Sequence, residues 1–273
     1  MRKRKVGLAL SSGAARGLAH IGVLEVLEKE GIPIDMIAGT SMGALIGAIY
    51  AQGKGASEIK ELAIDLGAKR FSFLADPALP KTGLVRGKRI RDVLKSIFGD
   101  IEFGDLRIPF ACVATDINTG EEVVIRQGLV REGVRASGSV PVILTVVKRR
   151  GRYLVDGALV NPVPVSVLKE MGADFIIAVN VIPNICKGLE PVNEKGIEAK
   201  EPNIFNVIIQ TINISSYRMV KYSLGGADVV IEPQVVSIGH LDFHRGQECI
   251  LQGELAAQAC VPEIKRYGTI EQG

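Results

Sequence analysis

The 273-residue chain contains no tryptophan, and aromatic side chains make up only 5% of it. Platforms for base stacking are therefore scarce. A formal net charge of +3, left over from 33 Lys or Arg and 30 Asp or Glu, builds no basic face for a phosphate backbone, so no nucleic-acid partner is expected. Cys112, Cys186, Cys249 and Cys260 are widely spaced, with no Cys-x-x-Cys pair and no accompanying histidine, so no zinc site is expected. They read as buried, reduced thiols. No uninterrupted apolar run reaches the ~18 residues a spanning helix needs. The basic run Arg2-Lys3-Arg4-Lys5 precedes an apolar stretch too short for a secretory leader. The expected address is cytoplasmic, extending to peripheral contact at the inner membrane surface. Histidine is also rare, being limited to His20, His240 and His244.

What the chain has is apolar content, 47% by count, enough for a sizeable core in one domain covering 1–273. No internal repeat or low-complexity tract breaks it. Its organising stretch is Gly39-Thr40-Ser41-Met42-Gly43, set between an apolar run at 34–38 and an apolar helical run from residue 44. The pattern predicts a strand, a sharp turn and a helix, with Ser41 at the apex. Flanking glycines keep Cβ atoms out of the turn, and the helix N-terminus favours negative charge near the hydroxyl. A serine nucleophile in acyl transfer needs that setting, although serine is also an ordinary helix N-cap.

Residues 6–10 read as the first strand, ending in the small-residue loop 11–17. Leu18, Ile21, Leu24 and Leu27 then fall at helical spacing, and Gly31 with Pro33 closes that helix before the strand at 34–38. Strand, helix and strand form a βαβ unit, which brings loop 11–17 and the Ser41 turn to one edge of a parallel sheet. Helices follow to about residue 52, at 57–66 and at 87–98. Between them, 70–86 reads as an irregular connection, either an ordinary loop or the border of an acyl pocket.

Strands are predicted at 110–115 and 121–126, a helix at 130–137, and a hairpin of 146–149 with 153–155 that delivers the chain to Asp156-Gly157-Ala158. A helix at 164–171 and a fully apolar strand at 175–181 come next. Residues 183–202 read as a surface excursion. Helices at 204–224 and 248–264 flank a last strand at 229–232. The helix at 204–224 carries few charges, and it reads as core packing or as an interfacial, lid or dimer helix.

A serine nucleophile needs a base. The order Ser41, Asp156, then His240 or His244 matches the α/β-hydrolase order, but no sequence feature positions either histidine. Asp156 ends a strand and is followed by small residues and Asn161-Pro162. A phosphate-binding turn of a nucleotide fold would need a Gly-x-Gly-x-x-Gly set or a Walker lysine, and loop 11–17 has neither.

Residues 11–22, 39–43 and 156–163 together resemble the patatin-like phospholipases, which carry a glycine-rich loop with a basic residue, a Gly-x-Ser-x-Gly turn and an Asp-Gly-Gly or Asp-Gly-Ala motif in this order. Residues 17–24 and 136–141 look like family segments too. The resemblance covers most of 5–182 and fades over the C-terminal extension 183–273. It implies an α/β fold of three layers, α/β/α, around a mainly parallel central sheet. It implies a serine esterase acting on phospholipids, lysophospholipids or related acyl esters, with no cofactor and no metal. Ser41 would be the nucleophile and Asp156 the base, in a dyad without histidine. Burial should raise the basicity of Asp156. Backbone N–H groups of Gly13 and Ala14 would hold the oxyanion, with Arg16 fixing that loop or attracting a phosphate headgroup. Ser12 and Ala14 stand where the family usually has glycine, and alanine tolerates positive φ poorly. That departure keeps open a lipid-binding regulatory protein with little turnover. Acyl transfer to an acceptor other than water is a further variant.

Overall fold

The computed structural model describes residues 4–68, 87–183 and 204–269. The connection expected at 70–86, nearly all of the excursion expected at 183–202, and Cys186 lie outside the described residues. An eight-stranded sheet organises the fold: β1 (Val6–Leu10), β2 (Met36–Thr40), β3 (Phe110–Asp116), β4 (Glu122–Ile125), β5 (Val147–Arg149), β6 (Arg152–Asp156), β7 (Phe175–Val179) and β8 (Val229–Ile231). Strands β3, β2, β1, β7 and β8 lie side by side and parallel, while β4 and β6 run antiparallel to β3, and β5 antiparallel to β6.

Alternation along the parallel strands sorts their side chains into two cores. Leu8, Leu10, Ile37 and Ile177 face one side, under α1 (Ala19–Lys29), α2 (Met42–Ala51), α3 (Ala56–Ala68), α4 (Lys88–Phe98), α5 (Val130–Ser137) and the long C-terminal α8 (Gly246–Thr269). Ala9, Ala38, Val113 and Ile176 face the other, under α6 (Val165–Met171) and α7 (Ile204–Ser223). The result is the expected three-layer α/β/α sandwich with a mainly parallel sheet.

Two local differences from the sequence reading matter for the site. The second strand runs over Met36–Thr40 rather than 34–38, because Gly39 and Thr40 still pair with Cys112 and Val113 of β3, which leaves Ser41 alone to make the turn. Part of the loop at 11–17 is wound into a 3-10 turn, Ala14–Leu18. The C-terminal extension contributes β8 to the sheet, and α8 lies along α1. The two helices touch through glycine: a Cβ on Gly22 would sit 2.0 Å from the carbonyl oxygen of Ile250, and one on Gly253 would sit 1.9 Å from that of Ala19. Any larger side chain at either position drives the helices apart.

Candidate active site

Strand register brings the two central side chains together. Thr115 pairs with Glu122 of β4 and with Val155 of β6, so those strands occupy opposite edges of β3. β2 also lies opposite β4, since Val113 pairs with both Thr40 and Val124. β2 and β6 therefore share one edge of β3 and run toward each other, ending at Thr40 opposite Val113 and at Asp156 opposite Ala114. The Ser41 hydroxyl donates to Asp156 Oδ2 at 2.6 Å.

Ser41 holds φ 55° and ψ −115°, a conformation that costs a non-glycine residue about 1–3 kcal/mol and is retained only where the surroundings enforce it. The strain sits on the serine and not on its glycines. Gly43 is needed for close approach, because a Cβ there would lie 2.2 Å from the Leu10 carbonyl oxygen. The turn is pinned from α5, where Ser137 Oγ accepts the Ser41 N–H at 2.9 Å, and from the segment after β6, where the Asn161 carbonyl accepts the Thr40 hydroxyl at 2.9 Å.

Asp156 is buried. Its Oδ1 accepts the Ala158 N–H at 2.9 Å, its own N–H donates to the Ser139 carbonyl at 2.9 Å, and its carbonyl accepts the Thr115 hydroxyl at 2.8 Å. Burial pushes its carboxyl up to about 6, against the opposing pull of the bonds from Ser41 and Ala158. Ser137, Ser139 and Thr115 had no role in the sequence reading, although the family-like segment 136–141 contains the first two.

The loop expected to bind an oxyanion is tied down on several sides. Ser12 N–H donates to the Pro162 carbonyl, Ser11 Oγ accepts the Val181 N–H, and Ala15 N–H donates to the His240 carbonyl. Among the described residues, no acceptor takes the N–H of Gly13 or Ala14. Ala14 adopts φ 49°, so the conformation usually given to glycine is held here by alanine. Arg16 reaches the C-terminal extension: Nε donates to the Ile238 carbonyl at 2.6 Å and Nη1 to His240 Nε2 at 3.1 Å. Burial lowers its pKa.

No histidine bonds to Ser41 or Asp156 among the described residues. His20 is fully buried, donating Nε2–H to the Ser11 carbonyl at 2.8 Å, and burial lowers its pKa to about 4. The Nε2 lone pair of His240 is taken by Arg16, and burial with the Arg16 charge lowers its pKa to about 4. His244 is exposed.

Ser41, Asp156, Gly13, Ala14 and Arg16 all line one cavity of about 470 Å³. Leu45 and Ile49 of α2, Leu62 of α3, Leu94 of α4 and Val134 of α5 make one apolar wall, and Ile212 and Ser216 of α7 lie in another. Ser216 Oγ donates to the Ala158 carbonyl at 3.1 Å, so one face of α7 packs on the site while Val207, Ile214 and Tyr222 remain exposed. Cys112 and Cys249 are buried and Cys260 half-buried. No helix among the described residues is long and apolar enough to cross a membrane, and no group of three or more potential metal ligands is found among them.

An uncharacterised NTE family protein of Mycobacterium tuberculosis is 37% identical over 177 residues, which is 65% of this chain and 49% of that protein. A second one from the same organism is 30% identical over 280 residues, covering 96% of this chain and 48% of the relative. Patatin-like phospholipase domain-containing protein 6 of Mus musculus is 35% identical over 64% of this chain and 13% of its own length. The chain thus spans about half the length of its mycobacterial relatives. VipD from Legionella pneumophila shares the fold with a TM-score of 0.56 at 12% identity, covering 96% of this chain and 67% of VipD. The patatin-like phospholipase family model matches residues 8–169, well over half of the sequence, and the chain belongs to that family.

Proposed function

We propose that this chain is a serine acyl-ester hydrolase acting on phospholipids, lysophospholipids or related acyl esters through an acyl-Ser41 intermediate. The observation that carries the reading is the 2.6 Å hydrogen bond from Ser41 to a buried Asp156 beside an apolar cavity. Asp156 Oδ2 takes the hydroxyl proton as Oγ attacks the ester carbonyl, so no free alkoxide forms. Proton transfer of this kind contributes on the order of 10²–10⁴ in rate. The negative charge passes to the former carbonyl oxygen, which the N–H groups of Gly13 and Ala14 stabilise. Asp156 returns the proton to the leaving alcohol, and water then repeats the attack on the acyl-enzyme with Asp156 again as base.

Membership of the family and the name of the mammalian relative, a patatin-like phospholipase domain-containing protein, support a lipid ester as substrate. The positive φ of Ala14 supports turnover over mere binding, since the loop keeps the glycine-type shape despite its methyl group. We place the whole chain in one domain, a motif-bearing core of about 5–182 with 183–273 packed on it, because β8 extends the same sheet and Arg16 is held by Ile238. It works in the cytoplasm and meets its lipid at the inner membrane surface. The test is release of fatty acid from lysophospholipid and diacyl phospholipid vesicles. Ser41→Ala should abolish it and Asp156→Asn should reduce it at least ~100-fold. Release unchanged in either variant refutes the dyad, and acyl transfer would appear as new esters when alcohols are added.

A further inference from the structure

Arg135 is a cation at the cavity wall with no counter-charge among the described residues. It lies in the last turn of α5, is 6% exposed, and lines the same cavity as Ser41. Among the described residues no carboxylate pairs with it. Nη1 donates to Ser139 Oγ, and Nη2 donates to the Thr145 carbonyl at 3.1 Å with Thr145 Oγ1 at 3.5 Å. Buried Nε has no partner among the described residues. A guanidinium carries five N–H donors, so among the described residues Nε–H and one Nη1–H have no acceptor.

Burial lowers the Arg135 pKa to about 10, and the neighbouring charge that acts on it, Arg91 of α4, has the same sign. The C-terminal end of α5 favours a cation but supplies only a partial opposing charge. Burying a full charge without an opposite one is strongly unfavourable, so the cavity wall at Arg135 favours an anionic group on whatever the cavity takes. Arg16, the other cavity arginine, has Nε and Nη1 committed to Ile238 and His240.

We propose that Arg135 receives the phosphate group esterified to the substrate's alcohol, so that the chain prefers acyl esters whose leaving group is a phosphate-bearing alcohol. This rests on the cavity taking acyl esters. It transfers to Arg135 the headgroup role that the family resemblance offers for Arg16 as an alternative to fixing the loop. Arg135 is also a positioning residue, because it holds Ser139, whose carbonyl accepts the Asp156 N–H.

The experiment compares kcat/KM for a lysophospholipid with that for the monoacylglycerol of the same chain length. It is run in the wild type, Arg135→Gln and Arg135→Lys. A hydrogen bond to a charged group is worth enough to expect the ratio of the two constants to fall at least ~10-fold in Arg135→Gln, on top of any loss both substrates share. That fall should lie in KM, and Arg135→Lys should recover part of it. An unchanged ratio overturns the proposal and leaves positioning alone.

Should Arg135→Gln fail to fold, the wild type carries the test. Dodecyl phosphate should inhibit hydrolysis of a short uncharged ester at least ~10-fold more strongly than dodecanol. Equal inhibition by the two overturns the proposal, and so does inorganic phosphate acting as strongly as dodecyl phosphate, which would assign the site to the free ion. If the wild type hydrolyses nothing, the catalytic reading fails by itself. Calorimetric binding of dodecyl phosphate against dodecanol then decides Arg135 separately.

Discussion

The Ser41 hydroxyl and the Asp156 carboxylate meet at 2.6 Å, although 115 residues separate them in sequence, because β2 and β6 run head to head along one edge of β3. Strand pairing brings Thr40 and Asp156 to one place on β3, and bonds from Ser137, Ser139 and Asn161 fix the Ser41 turn and Asp156 there. The contact therefore exists before any substrate arrives. Its surroundings make Asp156 a stronger base than a solvated carboxylate.

That basicity sets a pH profile. In the proposed mechanism Asp156 must be ionised to accept the serine proton, and burial raises its pKa to about 6. Hydrolysis of an uncharged short ester should rise with pH, pass half-maximum near 6 and level off above 7. A profile flat from pH 5 to 8 would contradict the assignment.

The same shift predicts a stability difference. Folding raises the Asp156 pKa from 3.8 to about 6, so the native chain binds this proton more tightly than the unfolded chain. Its stabilising contribution is full at low pH and is lost as pH rises through that interval. Asp156→Asn keeps an acceptor for Ala158 and removes the buried charge. It should be more stable than the wild type by up to about 3 kcal/mol at pH 8 and nearly equal to it at pH 4, read from denaturant midpoints. A destabilised variant at pH 8 would refute this.

Position 14, held at φ 49°, should accept glycine. Relieving φ 49° is worth about 1 kcal/mol, opposed by the greater freedom of glycine in the unfolded chain. Ala14→Gly should keep turnover and shift Tm little. Ala14→Val, β-branched at positive φ, should lower both. Undiminished turnover in Ala14→Val would show that the loop shape is not needed.

The α1–α8 contact sets a tight backbone-to-backbone limit outside the turn. Gly253→Ala places a methyl group against the Ala19 backbone and should destabilise the chain by about 1–3 kcal/mol or more, measured by urea unfolding. An unchanged midpoint would mean that the helices do not cross at this distance.

Much of this arrangement was legible in the sequence where local rules govern. Alternation and turn residues located β3, β4 and the β5–β6 hairpin to within a residue or two, and the 130–137 helix at its observed bounds. Ser41 and Asp156 stood out because each is bracketed by small residues. Gly39 was misplaced outside its strand, since propensity counts glycine as a breaker while pairing with β1 and β3 keeps it extended. Arg135 was not legible, because an arginine on a helix reads as a solvated charge until neighbouring elements cover it. The grip of His240 and Ile238 on Arg16 spans more than 220 residues, a contact that no periodicity encodes.

The most direct measurement is covalent: reaction with a fluorophosphonate, followed by peptide mapping of the adduct. A single adduct on the peptide containing Ser41, absent from Ser41→Ala and formed at least ~100-fold more slowly in Asp156→Asn, is expected. An adduct on another residue, or labelling that survives Ser41→Ala, would mean that the hydroxyl at the end of β2 is not the nucleophile.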